Sequence, residues 1–298
     1  MNTWIIGCGD IGRRVARLYQ KVTLKDKPLI KGLVYSPASQ QICEQMNIHT
    51  FQADLDSNTS LQAEIPADLF NQAQIFYFAP PPKIGICDTR LQNFLNHISN
   101  KVEKIVLIST TGVYGDSLGE WIDETTPIAP KADRAKRRAN AEQQLQQWAK
   151  RYQKEIVILR VPGIYAPDRL PLTRLKKGLA VVKASEAGWT NRIHADDLAQ
   201  VCQQAMQLDL PNSLYNVTDG SPSSMTDYFN QVADYAGLKR PPQISMQTAI
   251  ETLSKGMVSY LQESRRIKNQ SLLDDFNLTL QYPDLNAGLS TLTKPIYQ

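Results

Sequence analysis

Residues 3–12 read Thr3-Trp4-Ile5-Ile6-Gly7-Cys8-Gly9-Asp10-Ile11-Gly12. Strand-forming residues run straight into G-x-G-x-x-G, and Ile11, Val15, Leu18 and Tyr19 then recur at helical spacing. Such a hexapeptide alone is weak; between a strand and a helix it describes a βα turn that holds linked phosphates. Gly7 permits the tight turn, Gly9 lets backbone approach a pyrophosphate, and Gly12 lets helix and strand pack closely. Amides and the dipole of the helix N-terminus, along Asp10, Ile11 and Arg13, then meet the negative charge. The stretch predicts a dinucleotide site; the bland alternative is a glycine-rich turn without a ligand.

Outward from this turn, short apolar runs at 4–7, 29–34, 49–52, 75–78, 105–108 and 156–159 are continuous and rich in Ile, Val, Leu and Phe. Strands buried on both faces of a parallel sheet have that composition. Helical patterns fall between them, as at Leu91, Phe94, Leu95 and Ile98. The alternation predicts a doubly wound, Rossmann-type parallel α/β sheet. After residue 160 the rhythm changes. A Pro/Gly-punctuated stretch leads to one more strand at 214–217, then to helices and loops, of which 227–236 is the clearest helix. The expected division is a nucleotide-binding domain over 1–165, with 193–218 returning to the sheet. A small, mainly helical lobe over 166–192 and 219–298 would cover a substrate.

The 298 residues are 42% hydrophobic and 21% charged, ordinary for a soluble globular chain. A net charge of +4 is too small to argue for nucleic acid. Four cysteines, at 8, 43, 87 and 202, form no C-x-x-C pair, which fits a reduced, cytoplasmic protein better than a disulfide framework or a zinc site. No run approaches the ~18 apolar residues of a membrane span.

The choice of dinucleotide depends on the end of the second strand, where an NAD site usually offers Asp or Glu to the ribose 2′-hydroxyl. Residues 27–43 contain no acid; Tyr35 and Ser36 stand there, with Arg13 and Arg14 just past the glycine loop. Hydroxyls and a guanidinium suit a 2′-phosphate, so the reading is NAD(P) with a lean to NADP. The alternative is that both arginines point to water. Asp54 and Leu55 follow the third strand, where an adenine pocket would lie. Phe78, Ala79 and Pro80 end the fourth, where a small residue and donor-free prolines allow close approach to a flat ligand. Both segments could equally be ordinary strand exits.

Residues 108–115, Ile108-Ser109-Thr110-Thr111-Gly112-Val113-Tyr114-Gly115, together with the glycine loop, resemble the extended short-chain dehydrogenase/reductases, the NAD-dependent epimerase/dehydratase group. Further landmarks of that resemblance follow in order: Asp123-Glu124 with Pro127 and Pro130, Ala141-Glu142, the segment Arg160 to Tyr165 that contains Pro162, and the stretch Arg192 to Ala199 with His194, Asp196 and Asp197. The resemblance implies that a Ser or Thr polarises the substrate, that a Tyr is acid and base, and that a Lys four residues later lowers its pKa. Thr110 keeps the first role. Counted back from Glu142, the Tyr and Lys positions hold Arg134 and Arg138. The sequence therefore resembles the atypical branch that keeps the nucleotide fold without the Tyr/Lys pair.

Arg134 and Arg138 share a helical stripe with Ala141, Leu145, Trp148 and Tyr152, which should turn both toward the cofactor and leave Lys136 and Arg137 pointing away; the alternative is a solvated helix face for the whole basic cluster. Arginine stays protonated, so these residues would clamp an anion or a ribose rather than trade protons. Tyr114, Tyr165 and Arg192 are candidates for substrate contact, although packed aromatics are the blander reading of both tyrosines. His194 more readily fills a structural role than a catalytic one. Expected partners are a small anionic substrate, by resemblance often a nucleotide-sugar, and a second copy of the chain, with neither nucleic acid nor membrane. The rival function is a dinucleotide-binding sensor without turnover.

Overall fold

The computed structural model describes residues 2–21 and 29–290. The chain forms two compact units, one from 1–113, 130–160 and 198–215, the other from 114–129, 161–197 and 216–298. Residues 114–129, 161–165, 193–197 and 216–218, assigned to the nucleotide-binding body by sequence, thus group with the second unit.

The first unit is built on a seven-stranded sheet. Its first five strands are β1 (Asn2–Ile6), β2 (Leu29–Val34), β3 (His49–Gln52), β4 (Ala73–Tyr77) and β5 (Lys104–Thr110), and the strands Glu155–Val161 and Leu214–Asn216 extend it beyond β5. In space the order runs β3, β2, β1, β4, β5, Glu155–Val161, Leu214–Asn216. The pairings β3–β2, β2–β1, β1–β4 and β4–β5 are parallel. All six early strands and the late one lie where the apolar runs placed them, with ends displaced by up to two residues. Helices α1 (Asp10–Gln20), α2 (Pro37–Gln45), α3 (Asn58–Glu64), α4 (Thr89–His97) and α5 (Asp133–Tyr152) make the crossovers and flank the sheet. Such a sheet needs both faces covered, which is why the strands alternate hardly at all. On one face Trp4, Phe70, Tyr77, Phe94, Leu145 and Ile158 bury one another, Trp4 against Phe70 at 4.7 Å and Phe70 against Phe94 at 5.4 Å.

Among the described residues the second unit has no large sheet. Short strand pairs hold it, among them Gly163–Tyr165 with Arg192–His194 and Val181–Val182 with Gln243–Ile244. The helix Met225–Tyr235 starts at a capping box: Ser224 Oγ accepts the Asp227 N–H at 3.0 Å, and the Asp227 carboxylate accepts the Ser224 N–H at 3.2 Å. Phe229, Val232 and Ala233 on that helix pack with Tyr165, Leu175, Leu285 and Leu289. Near residue 281 the chain is tied down by Asp197, whose carboxylate accepts the N–H groups of Gln281 and Tyr282, each at 2.9 Å.

Asp219 lies buried in this unit beside Asp284 and Asp197, and burial pushes its carboxyl up to about 7 against the opposing pull of the Ser221 N–H and Arg192. The folded value exceeds the unfolded one, about 3.9, so stability is full below the unfolded pKa and is lost as pH rises through about 7. Asp219→Asn keeps an acceptor for Ser221 and abolishes the penalty. Urea unfolding should show the variant more stable than wild type at pH 8.5 by on the order of 2 kcal/mol, and less advantaged at pH 5. Parallel pH curves for the two proteins would remove Asp219 from this account.

Candidate functional site

The strand order reverses between β1 and β4, and at such a switch point the carboxyl ends of two neighbouring strands leave a crevice for a ligand. The glycine loop leaves β1 there. Gly7 and Cys8 both donate their N–H groups to Leu33 O on β2, at 2.9 and 3.0 Å, and Gly9 N–H closes on Gly7 O at 2.7 Å. Gly7 has φ of +82° and so little room that an added Cβ would sit 2.5 Å from Ala79 N. Gly12 is buried against β1, where a Cβ would lie 2.8 Å from the Ile5 side chain. Gly9, the N-cap of α1, is exposed, and a Cβ added there would meet, among the described residues, only Gly7 O, at 3.9 Å. Two glycines are therefore demanded by the protein's own packing, and the third leaves bare backbone open at a helix N-terminus.

At the ends of β2 and β3 an open depression is lined by Tyr35, Ser36, Pro37, Ala53, Asp54 and Glu64, together with Gln52 and Ser60. The structure thus brings three of the expected cofactor residues, Tyr35, Ser36 and Asp54, to one place. Leu55 behaves differently: it is buried in the apolar cluster, and its carbonyl accepts the Asn93 amide at 2.9 Å. Ser36 is partly committed, since its Oγ accepts Ser39 N–H to cap α2. Neither arginine after the loop lines the depression. Arg14 pairs with Asp10 at 3.0 Å, and Arg13 is among the groups that pull the Cys43 thiol down.

Beyond β4, Phe78 N–H donates to Ile6 O at 2.8 Å, Ala79 is buried against Gly7, and Pro80 is exposed. Thr110 ends β5 half-buried, and its Oγ1 accepts the Gly112 N–H at 3.2 Å. The basic stretch opens α5. Arg134 and Arg138 are half-buried, and Arg138 Nη1 reaches Ala79 O at 3.4 Å. Lys136 is turned to Asp133 at 3.7 Å, as a surface residue. Arg137 corrects the helical-stripe reading: it does not point away but is buried, with Nη1 donating to Gly85 O at 2.5 Å. The stripe missed it because the residues after β4 fold back over that side of the helix and offer a carbonyl.

Sequence reasoning used Ser109, Glu142 and Arg160 only as landmarks. The structure joins them. Arg160 donates Nη2 to Glu142 Oε2 at 2.7 Å and Nε to Oε1 at 3.1 Å, and Ser109 donates to Oε1 at 2.5 Å. All three side chains are buried and tie β5, α5 and the strand Glu155–Val161 together.

In the second unit Tyr114 and Tyr165 are each 2% exposed. Their hydroxyls donate to Asn216 Oδ1 at 2.9 Å and to Asp284 O at 3.0 Å, so both are packed aromatics rather than open contact residues. Arg192 is buried, donating to Ser223 Oγ at 2.7 Å and Thr190 Oγ1 at 2.9 Å, with its guanidinium 4.4 Å from the Tyr228 ring centroid. His194 is buried between Tyr165 and Tyr282, and its Nδ1 accepts the Asp196 N–H at 3.2 Å. Pro162 is half-buried between two strands. Asp123 and Glu124 serve loops: Asp123 accepts from Thr125, and Glu124 accepts Asn216 N–H at 2.8 Å. Among the described residues no three His, Cys, Asp or Glu side chains are grouped to hold a metal ion, and no helix is long and apolar enough to cross a membrane.

Residues 89–218 match the model of the NAD dependent epimerase/dehydratase family. Among curated proteins, human dTDP-D-glucose 4,6-dehydratase is 27% identical over 125 residues, which is 39% of this chain and only 36% of that enzyme's length. Two solved structures extend the likeness to nearly the whole fold. A conserved protein of unknown function from Silicibacter pomeroyi is 26% identical, covering 98% of this chain and 97% of its own at a TM-score of 0.80. dTDP-glucose 4,6-dehydratase from Bacillus anthracis, solved in complex with NAD, is 17% identical, covering 97% and 94% at a TM-score of 0.75. Residues 89–218 thus match the model of that family, and the chain shares its fold with solved proteins that include a dTDP-glucose 4,6-dehydratase.

Proposed function

We propose that the first unit binds a nicotinamide dinucleotide against the glycine loop and that the chain carries out epimerase- or dehydratase-like redox chemistry on a hydroxyl-bearing, anionic substrate. The observation that carries this is Gly9: bare, exposed backbone at a helix N-terminus, beside the point where the strand order reverses. The residues present fit the group. Gly7, Gly9, Ile11 and Gly12 would hold its phosphates, and Tyr35, Ser36 and Asp54 its adenosine end. Phe78, Ala79 and Pro80 would lie along its other half. Bound there, the dinucleotide supplies a hydride acceptor and donor.

The chain's own part is positioning. Thr110 would polarise the substrate oxygen through its hydroxyl. Arg138, and Arg134 one turn earlier, would hold anionic or hydroxyl groups, since a guanidinium remains charged and cannot replace tyrosine as a proton carrier. Nucleotide-sugars are the substrates that dehydratase relatives name, and we extend that class to this chain.

The depression beside Ser36 favours NAD over the NADP that the sequence suggested. Among the described residues its lining carries the carboxylates of Asp54 and Glu64 and no lysine or arginine, and a 2′-phosphate there would be repelled. Fluorescence titration should give an NADH affinity at least about tenfold above that of NADPH, the value of one lost charge-assisted contact. Equal or reversed affinities would overturn the assignment. The absent Tyr/Lys pair supports a second reading, a sensor that binds without turnover. Rapid mixing of the holoprotein with nucleotide-sugars, followed at the nicotinamide absorbance, separates the two: transient reduction belongs only to the enzyme.

A further inference from the structure

In the second unit the strands Trp121–Ile122 and Arg266–Ile267 run parallel, with Trp121 beside Arg266 and Ile122 beside Ile267. Successive side chains of a strand leave on opposite faces. Ile122 and Ile267 are buried, so the inner face of this ribbon is core, and Trp121 and Arg266 stand on its outer face. Trp189 closes in from a third segment: its N–H donates to Ser264 Oγ at 3.0 Å, and its carbonyl accepts the Arg265 N–H at 3.3 Å. The Arg266 guanidinium lies 5.3 Å from the ring centroid of Trp121 and 5.3 Å from that of Trp189.

Folding alone would not select this outer face. Trp121 is 45% exposed and Trp189 43%, so much of both indoles is left to water. Arg266 donates Nε to Gly119 O at 2.7 Å; among the described residues its two Nη groups have no acceptor, and no carboxylate pairs with it. Asp116 is engaged by the N–H groups of Leu118 and Ser264, and Glu263 by Arg265. Two aromatic rings and a carbonyl therefore hold a guanidinium whose forked edge is open. The adjoining turn adds strain. Leu118 and Gly119 both have positive φ, +51° and +81°, in a turn closed by Glu120 N–H on Ser117 O at 2.9 Å. Asn, Asp or Gly suits the first of those two places, yet leucine takes it and is 85% exposed. This turn borders Trp189, since a Cβ added at Gly119 would lie 3.2 Å from its Cδ1.

Charge selects the ligand. One unanswered cation balances one negative charge, whereas a phosphate monoester brings about −1.5 to −2 near neutrality. A carboxylate brings one, and its two oxygens match the guanidinium fork. We propose that this outer face binds a ring-bearing monocarboxylate, its carboxylate on the Nη edge of Arg266 and its ring against the exposed indoles and Leu118. The site lies within the second unit and does not depend on the dinucleotide reading.

Naphthoate is the probe. It should shift the indole N–H resonances of Trp121 and Trp189 in a nitrogen–proton correlation spectrum and leave those of the buried Trp4 and Trp148 in place. Naphthamide, the same ring without the charge, should bind about tenfold more weakly, the value of one charge-assisted contact. Arg266→Gln should lower the naphthoate affinity about tenfold and change the naphthamide affinity less than about twofold, a split that general damage to the lobe would not produce. The comparison of acid and amide on wild type needs no variant and stands even if Arg266→Gln folds poorly. Equal affinities for acid and amide, or unmoved Trp121 and Trp189 signals at millimolar naphthoate, would overturn the proposal. Tighter binding of naphthyl phosphate than of naphthoate would overturn the choice of anion.

Discussion

Arg160→Leu is expected to cost about 3–5 kcal/mol of folding stability, among the largest effects of any single substitution in the first unit. The loss comes less from the missing attraction than from what remains. Glu142, 3% exposed, would keep its carboxylate in the sheet–helix interface with the Ser109 hydroxyl as its remaining side-chain hydrogen-bond donor among the described residues. A buried charge without its partner is penalised far more than the intact pair is rewarded. Glu142→Ala should cost a similar amount by taking the carboxylate away from the buried guanidinium, whereas Ser109→Ala, which removes one neutral donor, should cost about 1–2 kcal/mol. The double replacement Glu142→Leu with Arg160→Met refills the volume and leaves neither charge behind. Urea unfolding at pH 7 should find it more stable than either single variant. Additive losses would show that the three side chains do not act as one unit.

That triad also marks the limit of what the sequence discloses. The sheet was legible because strands buried on both faces must be continuous apolar runs, and β2 and β3 lie at the residues such runs occupy. The glycine loop was legible because each glycine has its own local reason, in φ, in packing or in open backbone. Side-chain partnerships across 18 or 33 residues have no local signal. Glu142 could be recognised as part of a familiar helix and still give no hint that Arg160 was its partner. Arg137 misled for the same reason, since its burial depends on a loop 52 residues earlier in the chain. Tyr114 and Tyr165 stood at strand exits, which invites a functional reading. Whether their hydroxyls face a ligand or a carbonyl is decided by residues 216 and 284, far away in sequence. Nor does the sequence show locally that Arg14, adjacent to the loop, pairs with Asp10 one helical turn before it.

Gly9→Val should leave the fold nearly unchanged and weaken NADH binding by more than about 100-fold, whereas Gly7→Ala should damage both. The contrast follows from where each new Cβ would go. At Gly9 it meets, among the described residues, nothing nearer than Gly7 O at 3.9 Å, so their packing gives no reason for glycine there. Added methyls would instead occupy the space where a pyrophosphate must touch the amides at the start of α1. At Gly7 the φ of +82° is costly for any L side chain, and the Cβ would lie 2.5 Å from Ala79 N, which is backbone and cannot swing aside. Strain of that kind costs about 1–3 kcal/mol before the clash is relieved by parting β1 from β4. Gly12→Ala falls between them: its obstacle is the Ile5 side chain at 2.8 Å, and overpacking there should cost about 1–3 kcal/mol. Thermal unfolding and NADH fluorescence, measured on the three variants, separate packing from ligand contact. The decisive variant is Gly9→Val, because stability and affinity are expected to part company there. If it keeps its melting temperature and still binds NADH as wild type does, the dinucleotide does not lie on this loop, and the open backbone at Gly9 has some other use.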